Sequence, residues 1–433
     1  MRKILVLSLL HLLVSAQFNA TNAQVKSLRA QASIINEVLA DRFNNLLPTL
    51  MDQTHLDCWV LMTREYNEDP IVRTMLPAEW LAARRRTILV FYRNKDKNTI
   101  EKYAVARYAV GTEIIAAWDI AAFPNQWEAL TALLRKLNPN KIAINTSTDF
   151  GHADGLDHTE YLEFMQSLNE SEQAKVVSAE PLAVSWLETR TAKEMQLYPN
   201  LLKITHAIIK EGFSNKVIKP NLTTTEDLVW WFRQELNNKG LLTWFHPSVE
   251  IQRRVSNEKD EVIRPGDFLH VDFGITYLRL NSDVQEQAYV LLPTEKEVPA
   301  NLQAAFTKTN QLQDFLTNEF AFGKSGNDIL KQALTKAKAA GINPSIYTHP
   351  IGFHGHAAGT TIGMWDMQNG VPGSGDYTMK TNTCYSIELN ATHIIEGWDK
   401  PVRVALEQNG FFNGTSFEYI DGRQTKIHSI LSK

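Results

Sequence analysis

A chain of 433 residues with 44% hydrophobic and 21% charged side chains has the composition of an ordinary globular protein. It is long enough for two domains, each able to bury a core without staples. Its formal net charge of -4, with no long basic block, excludes a general polyanion or nucleic-acid binder.

The first residues read as an address. Arg2 and Lys3 precede an apolar run over residues 4–14, and small residues follow at Ala16 and Ala23. This order predicts a signal peptide over residues 1–23, cleaved after Ala16 or Ala23. The bland alternative is an N-terminal amphipathic helix. The run is too short to cross a bilayer, and no Cys stands near it for a lipid anchor. The mature chain is therefore expected to be periplasmic or secreted, with no membrane anchor after cleavage.

Residues 25–50 carry helix-like apolar spacing. Short β-rich runs follow at 58–62, 87–92, 103–110 and 142–144, interleaved with a helical pattern over 127–137. Strands alternating with helices predict an α/β layer structure for a first domain, residues 24–190. Near Glu188-Thr189-Arg190 the texture changes to longer amphipathic helices over 193–210, 301–320 and 326–340, with Gly341 at a C-cap position. Another helix starts near Thr223, whose spacing to Glu226 is that of a capping box. Residues 191–433 form the second domain, an α+β unit in which strand pairs lie between the helices. Cys58 and Cys384, one in each half, sit in apolar strand-like runs and read as buried free thiols rather than a disulfide framework.

The chemistry lies in that second half. In the strand-like run 267–274, Leu269, Val271 and Phe273 line one face, and His270 and Asp272 the other. An Asp inside an apolar strand is costly to bury unless it is paired, hydrogen-bonded or metal-bound. Asp283 follows eleven residues later, after a turn-like Leu280-Asn281-Ser282, and opens a second strand. Two adjacent antiparallel strands can aim both carboxylates into one pocket, a donor set that suits Mn, Zn, Co or Fe. A capping Asp beside a surface-turn Asp explains the same pair. The triplet Asp272-Phe273-Gly274 also looks like a kinase magnesium triplet, but no Gly-rich nucleotide loop or catalytic-loop signature precedes it. Residues 349–356 hold three histidines, His349, His354 and His356, among glycines. Glu388 and Glu407 each lie in a strand-like context.

Asp, Asp, His, Glu and Glu in this order resemble the pita-bread metallopeptidases, the group of methionine aminopeptidases, prolidases, Xaa-Pro aminopeptidases and creatinase. The likeness covers roughly residues 190–433, preceded by a region similar to the creatinase-type N-terminal domain. It implies a curved antiparallel sheet flanked by helices, two divalent metal ions (Mn, Co or Zn), short peptide substrates and a homodimer. The family's seven-residue spacing selects His349 as metal ligand and His356 as the substrate-side histidine, leaving His354 as an extra. The resemblance further implies that Asp283 and Glu407 bridge the metals, that Asp272 holds one of them, and that His349 with Glu388 holds the other. It also makes Glu388 the proton shuttle, and His356 the group that stabilises the oxyanion or the leaving amine. His246 is a candidate second donor, or a structural histidine.

Three departures stand beside the likeness. Leu389, not Pro, follows Glu388; Val284, Gln285 and Glu286, not the frequent Thr and Arg, follow Asp283; and no His lies within residues 249–265. The expected activity is that of an exported aminopeptidase of the Xaa-Pro type. The alternatives are a lyase or amidinohydrolase acting on a small metabolite, and a silent binding relative on the same fold.

Overall fold

The structure, a computed structural model, describes residues 25–255 and 260–433, so the expected signal peptide and its expected cleavage after Ala16 or Ala23 lie outside the described residues. Among the described residues no helix is long and apolar enough to cross a membrane. The fold mixes helices with several sheets, as the α/β reading expects.

The N-terminal half is built on a six-stranded mixed sheet. Its order is Ile115–Ala116, Thr99–Val105, Arg86–Asn94, Cys58–Arg64, Ile142–Ile144, Val176–Ser178. The central strand Cys58–Arg64 pairs antiparallel on one side and parallel on the other. It is buried on both faces, which is why its sequence is a continuous apolar run rather than an alternation. The strand expected over 103–110 instead occupies Thr99–Val105. Asn98 takes a left-handed turn at φ 50°, and pairing begins at once with Thr99 opposite Asn94, so the strand is used up before residue 107.

The helix expected over 25–50 is present but interrupted. Leu28–Asp41 passes through a π-helical turn, Arg42–Leu46, into Leu47–Thr54. The widened turn drives Arg42 and Phe43 into the interior. The second amphipathic helix of the C-terminal half is Thr225–Lys239, and its cap is Thr224, one residue beyond the expected Thr223. Thr224 forms a reciprocal box with Asp227 rather than Glu226, while the Thr223 hydroxyl is occupied by the Lys219 amide at 2.8 Å. Cys58 and Cys384 are both free and buried.

In the C-terminal half, helices Ala192–Gly212, Thr225–Lys239, Ala300–Thr317 and Gly326–Ala339 accompany a two-stranded ribbon, Thr276–Tyr277 with Leu280–Asn281, and three larger sheets. One contains Ser248–Gln252, Phe268–Phe273, Val284–Val290 and His428–Ile430; a second contains His349–Pro350, Thr383–Ser386, Asn409–Phe412 and Phe417–Tyr419; the third contains Asn343–Ile346, Leu389–His393 and Val402–Leu406. A bridge between Gln285 and Glu407 joins the first sheet to the third.

A buried ionic cluster ties the two halves together. Glu194 accepts from Arg42 at 2.7 Å and from Arg190 at 2.9 Å, and all three side chains are out of water. Burial holds the Arg42 pKa down to about 10 against the pull of Glu194. Both guanidinium groups lie over the Phe353 ring, at 4.8 and 4.7 Å from its centroid. Phe353 belongs to the histidine segment, so the cluster also braces that segment. Glu194→Ala should leave two buried guanidinium groups facing each other and destabilise the protein by about 3–5 kcal/mol. Urea unfolding checks this, and a loss below about 1 kcal/mol would mean that the cluster is not a structural tie.

Candidate metal centre

Each carboxylate reaches the pocket by a local device. In Phe268–Phe273, Leu269, Val271 and Phe273 pack into the apolar core, leaving His270 and Asp272 on the opposite face. Gln285 of Val284–Val290 lies directly across from Asp272. Asp283 immediately precedes that strand and shares the face of Gln285, and its N–H donates to Asn409 Oδ1 at 3.0 Å.

The turn between the two aspartates is not at residues 280–282. It lies at Leu278-Arg279, both with positive φ (54° and 66°), while Leu280–Asn281 pairs back onto Thr276–Tyr277. Such a two-residue turn usually takes Asn-Gly. Here Arg279 is held from outside, donating to the carbonyls of Leu76 and Pro77 at 2.6 and 3.2 Å, so the N-terminal half anchors it.

Glu388 and Glu407 do not lie within strands as expected. Each occupies a two-residue break at which the chain changes sheet: Thr383–Ser386 gives way to Leu389–His393, and Val402–Leu406 to Asn409–Phe412. The breaks face each other, with Ile387 N–H donating to the Gln408 carbonyl at 2.9 Å. Leaving the regular ladder re-aims a side chain that would otherwise alternate outward.

His349 completes the set. Its Nδ1 lies 3.0 Å from the Pro350 carbonyl, which can only accept, so Nδ1 carries a proton and Nε2 is the nitrogen that faces the pocket. Around Nε2 stand Glu407 Oε1 at 3.5 Å, Asp283 Oδ2 at 3.6 Å and Glu388 Oε2 at 3.9 Å. On the other side, ligand atoms of Asp272, Asp283 and Glu407 lie within 4.8 Å of one another. The pocket crowds four acids into little water. Burial first, and then the charge of Glu407, raise Asp272, Asp283 and Glu388 well above the usual carboxylate range. Burial presses His349 down, but the neighbouring carboxylates, Glu407 first and then Glu388, prevail, and its pKa ends above the ordinary histidine value.

His356 stands beside this cluster, its ring 4.6 Å from that of His349 and 5.2 Å from Trp244. Gly355 is required here, because a Cβ would lie 2.3 Å from the Trp244 ring. His356 is exposed on one side, yet the surrounding protein, and next His349, push its pKa down to about 4, so it is a neutral imidazole. His354 instead stacks on His152 from the N-terminal half, with ring centroids 4.1 Å apart. His246 is exposed; its partners are Arg233 at 3.0 Å and Trp230, on the helix Thr225–Lys239, and it belongs to none of the close ligand groups. Sequence reasoning missed Gln285, whose amide touches Glu388 and Glu407, and Ser386, whose hydroxyl donates to Glu407 Oε1 at 2.6 Å. Period-two spacing from Asp283 was the available signal for Gln285.

Residues 200–418 match the metallopeptidase family M24. The chain belongs to this family. Its fold is similar to that of an X-Pro aminopeptidase from Thermotoga maritima, with 12% identity, a TM-score of 0.62, and coverage of 88% of this chain and 99% of that one. A Xaa-Pro dipeptidase from Bacillus anthracis aligns at 14% identity over 93% of this chain and 100% of its own, with a TM-score of 0.56. The prolidase from Pyrococcus furiosus aligns at 12% identity over 87% and 99%, with a TM-score of 0.55. No curated protein sequence matches this chain.

The residues of this metallopeptidase fit the divalent metals that the family uses. Asp272 Oδ1, Asp283 Oδ1 and His349 Nε2 are buried without any hydrogen-bond partner, and all three belong to the cluster. Buried polar atoms are rarely left so, and here they converge on common points. A raised carboxyl pKa means that the metal-free fold binds protons more tightly than the unfolded chain. That contribution is present at low pH and is lost as pH rises through the folded values. The melting-temperature gap between metal-loaded and chelated protein should therefore widen as pH rises above the usual carboxylate range. A gap that stays constant in calorimetry would mean that the four acids do not share one charge problem.

Proposed function

We propose that this metallopeptidase is an exported, dinuclear aminopeptidase of the Xaa-Pro type that cleaves short peptides. The observation that carries the reading is the convergence of Asp272, Asp283, His349, Glu388 and Glu407 beside the neutral His356. Asp272, Asp283 and Glu407 would hold one ion, and His349, Glu388 and Glu407 with Asp283 the other. Two bound ions supply a water of lowered pKa and polarise the scissile carbonyl. Glu388 takes the proton of the attacking water and passes it to the leaving amine. His356 donates an N–H to the developing oxyanion, a task for which a neutral ring suffices. Trp244 walls the histidine side of the pocket.

The Xaa-Pro preference is supported by full-length similarity to proteins described as X-Pro aminopeptidase, Xaa-Pro dipeptidase and prolidase. Export to the periplasm or medium is supported by Arg2, Lys3 and the apolar run that follows. Manganese is the first metal to try, and a homodimer the first assembly, both on the family resemblance. A division into residues 24–190 and 191–433 accords with the six-stranded sheet lying wholly in the first part.

Stripped enzyme reloaded with Mn, Co or Zn should cleave Xaa-Pro dipeptides or tripeptides. Protein that binds two ions yet cleaves no peptide would shift the reading to a small-metabolite enzyme. Asp283→Asn should leave a folded, metal-poor and inactive protein. His356→Ala should keep its metal and lose turnover by about 10²–10³-fold. Metal analysis beside kcat separates the two effects. Loss of metal from His356→Ala would remove the substrate-side role.

A further inference from the structure

At the position two residues beyond Asp283 this chain carries a glutamine, and its contacts are unusually constrained. Gln285 Nε2 donates to Glu407 Oε2 at 2.9 Å and also to Glu388 Oε1. Gln285 Oε1 lies 2.8 Å from His270 Nε2. All of these side chains are buried. As metal ligands Glu388 and Glu407 are ionised carboxylates, which can only accept, so the amide nitrogen must face them; the amide oxygen can only accept, so His270 Nε2 must carry a proton. The other ring nitrogen, His270 Nδ1, is 3.6 Å from Glu250 Oε2, beyond a direct hydrogen bond, so the constraint ends at His270.

The two oxygens that Gln285 grips are not those that face His349. Glu388 Oε2 and Glu407 Oε1 point at His349 Nε2, while Oε1 of the first and Oε2 of the second are taken by the amide. One amide thus holds an oxygen of each carboxylate, alone on the Glu388 side and together with the Ser386 hydroxyl on Glu407. We propose that Gln285, held in one orientation by His270, is a positioning residue that presents Glu388 and Glu407 to the His349-side metal position. This rests on the metal-centre reading above, and concerns binding geometry rather than the choice of substrate.

The test is Mn²⁺ affinity by calorimetry on the full chain, with peptide turnover measured in parallel. Gln285→Met keeps the length of the side chain but cannot donate, and should weaken Mn²⁺ binding by about 10–100-fold. His270→Phe should weaken it in the same direction, whereas His270→Gln, which can donate to the Gln285 oxygen, should retain most of the affinity. A merely structural role would move His270→Phe and His270→Gln alike, and that result overturns the proposal. Wild-type Mn²⁺ affinity in Gln285→Met overturns it as well. Should Gln285→Met fail to fold, the His270 pair decides alone. Wild type that cleaves no peptide while these affinity shifts occur would sink the peptidase reading and leave this inference standing.

Discussion

Four carboxylates share one small buried pocket, and the rest of the C-terminal half is arranged around that fact. Asp272, Asp283, Glu388 and Glu407 come from different strands or strand ends, and each has oxygens within reach of another or of His349. Burying like charges together is unfavourable unless protons or cations neutralise them. Without a neutralising cation, the upward pKa shifts of Asp272, Asp283 and Glu388 express that cost. The raised pKa of His349 is the same effect seen from its cationic side. A bound divalent ion would offset this repulsion, and its binding free energy would then add to the stability of the fold.

Such a pocket needs a scaffold that does not relax away from the repulsion. Backbone hydrogen bonds supply it: Gln285 N–H to the Glu407 carbonyl at 3.0 Å, Ile387 N–H to Gln408, and Asp283 N–H to Asn409 Oδ1. Ser386 and Asn409 extend the network, with the Asn409 amide donating to the Ser386 hydroxyl at 3.0 Å. Glu407 is therefore held by Ser386 on one oxygen and by Gln285 on the other. Ligands whose rotamers are already fixed lose little freedom when an ion enters.

Where a side chain's role followed from strand alternation, the sequence was readable. Asp272 opposes Leu269, Val271 and Phe273 by period two, and the structure keeps that split. The central strand at Cys58 and the helices beginning at Ala192 and Gly326 have patterns strong enough to place within a few residues. What was not readable depended on partners distant in sequence. The turn moved to Leu278-Arg279 because Leu76 and Pro77, some two hundred residues away, accept from Arg279. Glu388 and Glu407 read as strand residues because a sheet change leaves no compositional mark; no Gly or Pro announces either break. Thr223 and Thr224 offer two equivalent capping registers, and only the competing bond to Lys219 decides between them. His246 follows Trp244 by two residues in the sequence, yet it is His356 that packs against the Trp244 ring and beside His349, while His246 lies against Arg233.

The N-terminal half contributes to the same pocket through mechanical support. Arg42 reaches Phe353 from a π-helical turn, and His152 stacks on His354, so two side chains of the first half grip the segment between His349 and His356 from separate directions. Burial, with His152 adjacent, pushes His354 down to about 3, so this stacked imidazole is neutral. The glycines of that segment let it approach its supports closely: a Cβ at Gly352 would lie 3.0 Å from the Arg190 guanidinium carbon, and one at Gly355 would enter the Trp244 ring. Gly352 and Gly355 give the segment conformational freedom at two of its positions. Its shape is therefore set by what packs against it, and the position of His356 relative to His349 is a property of both halves of the chain.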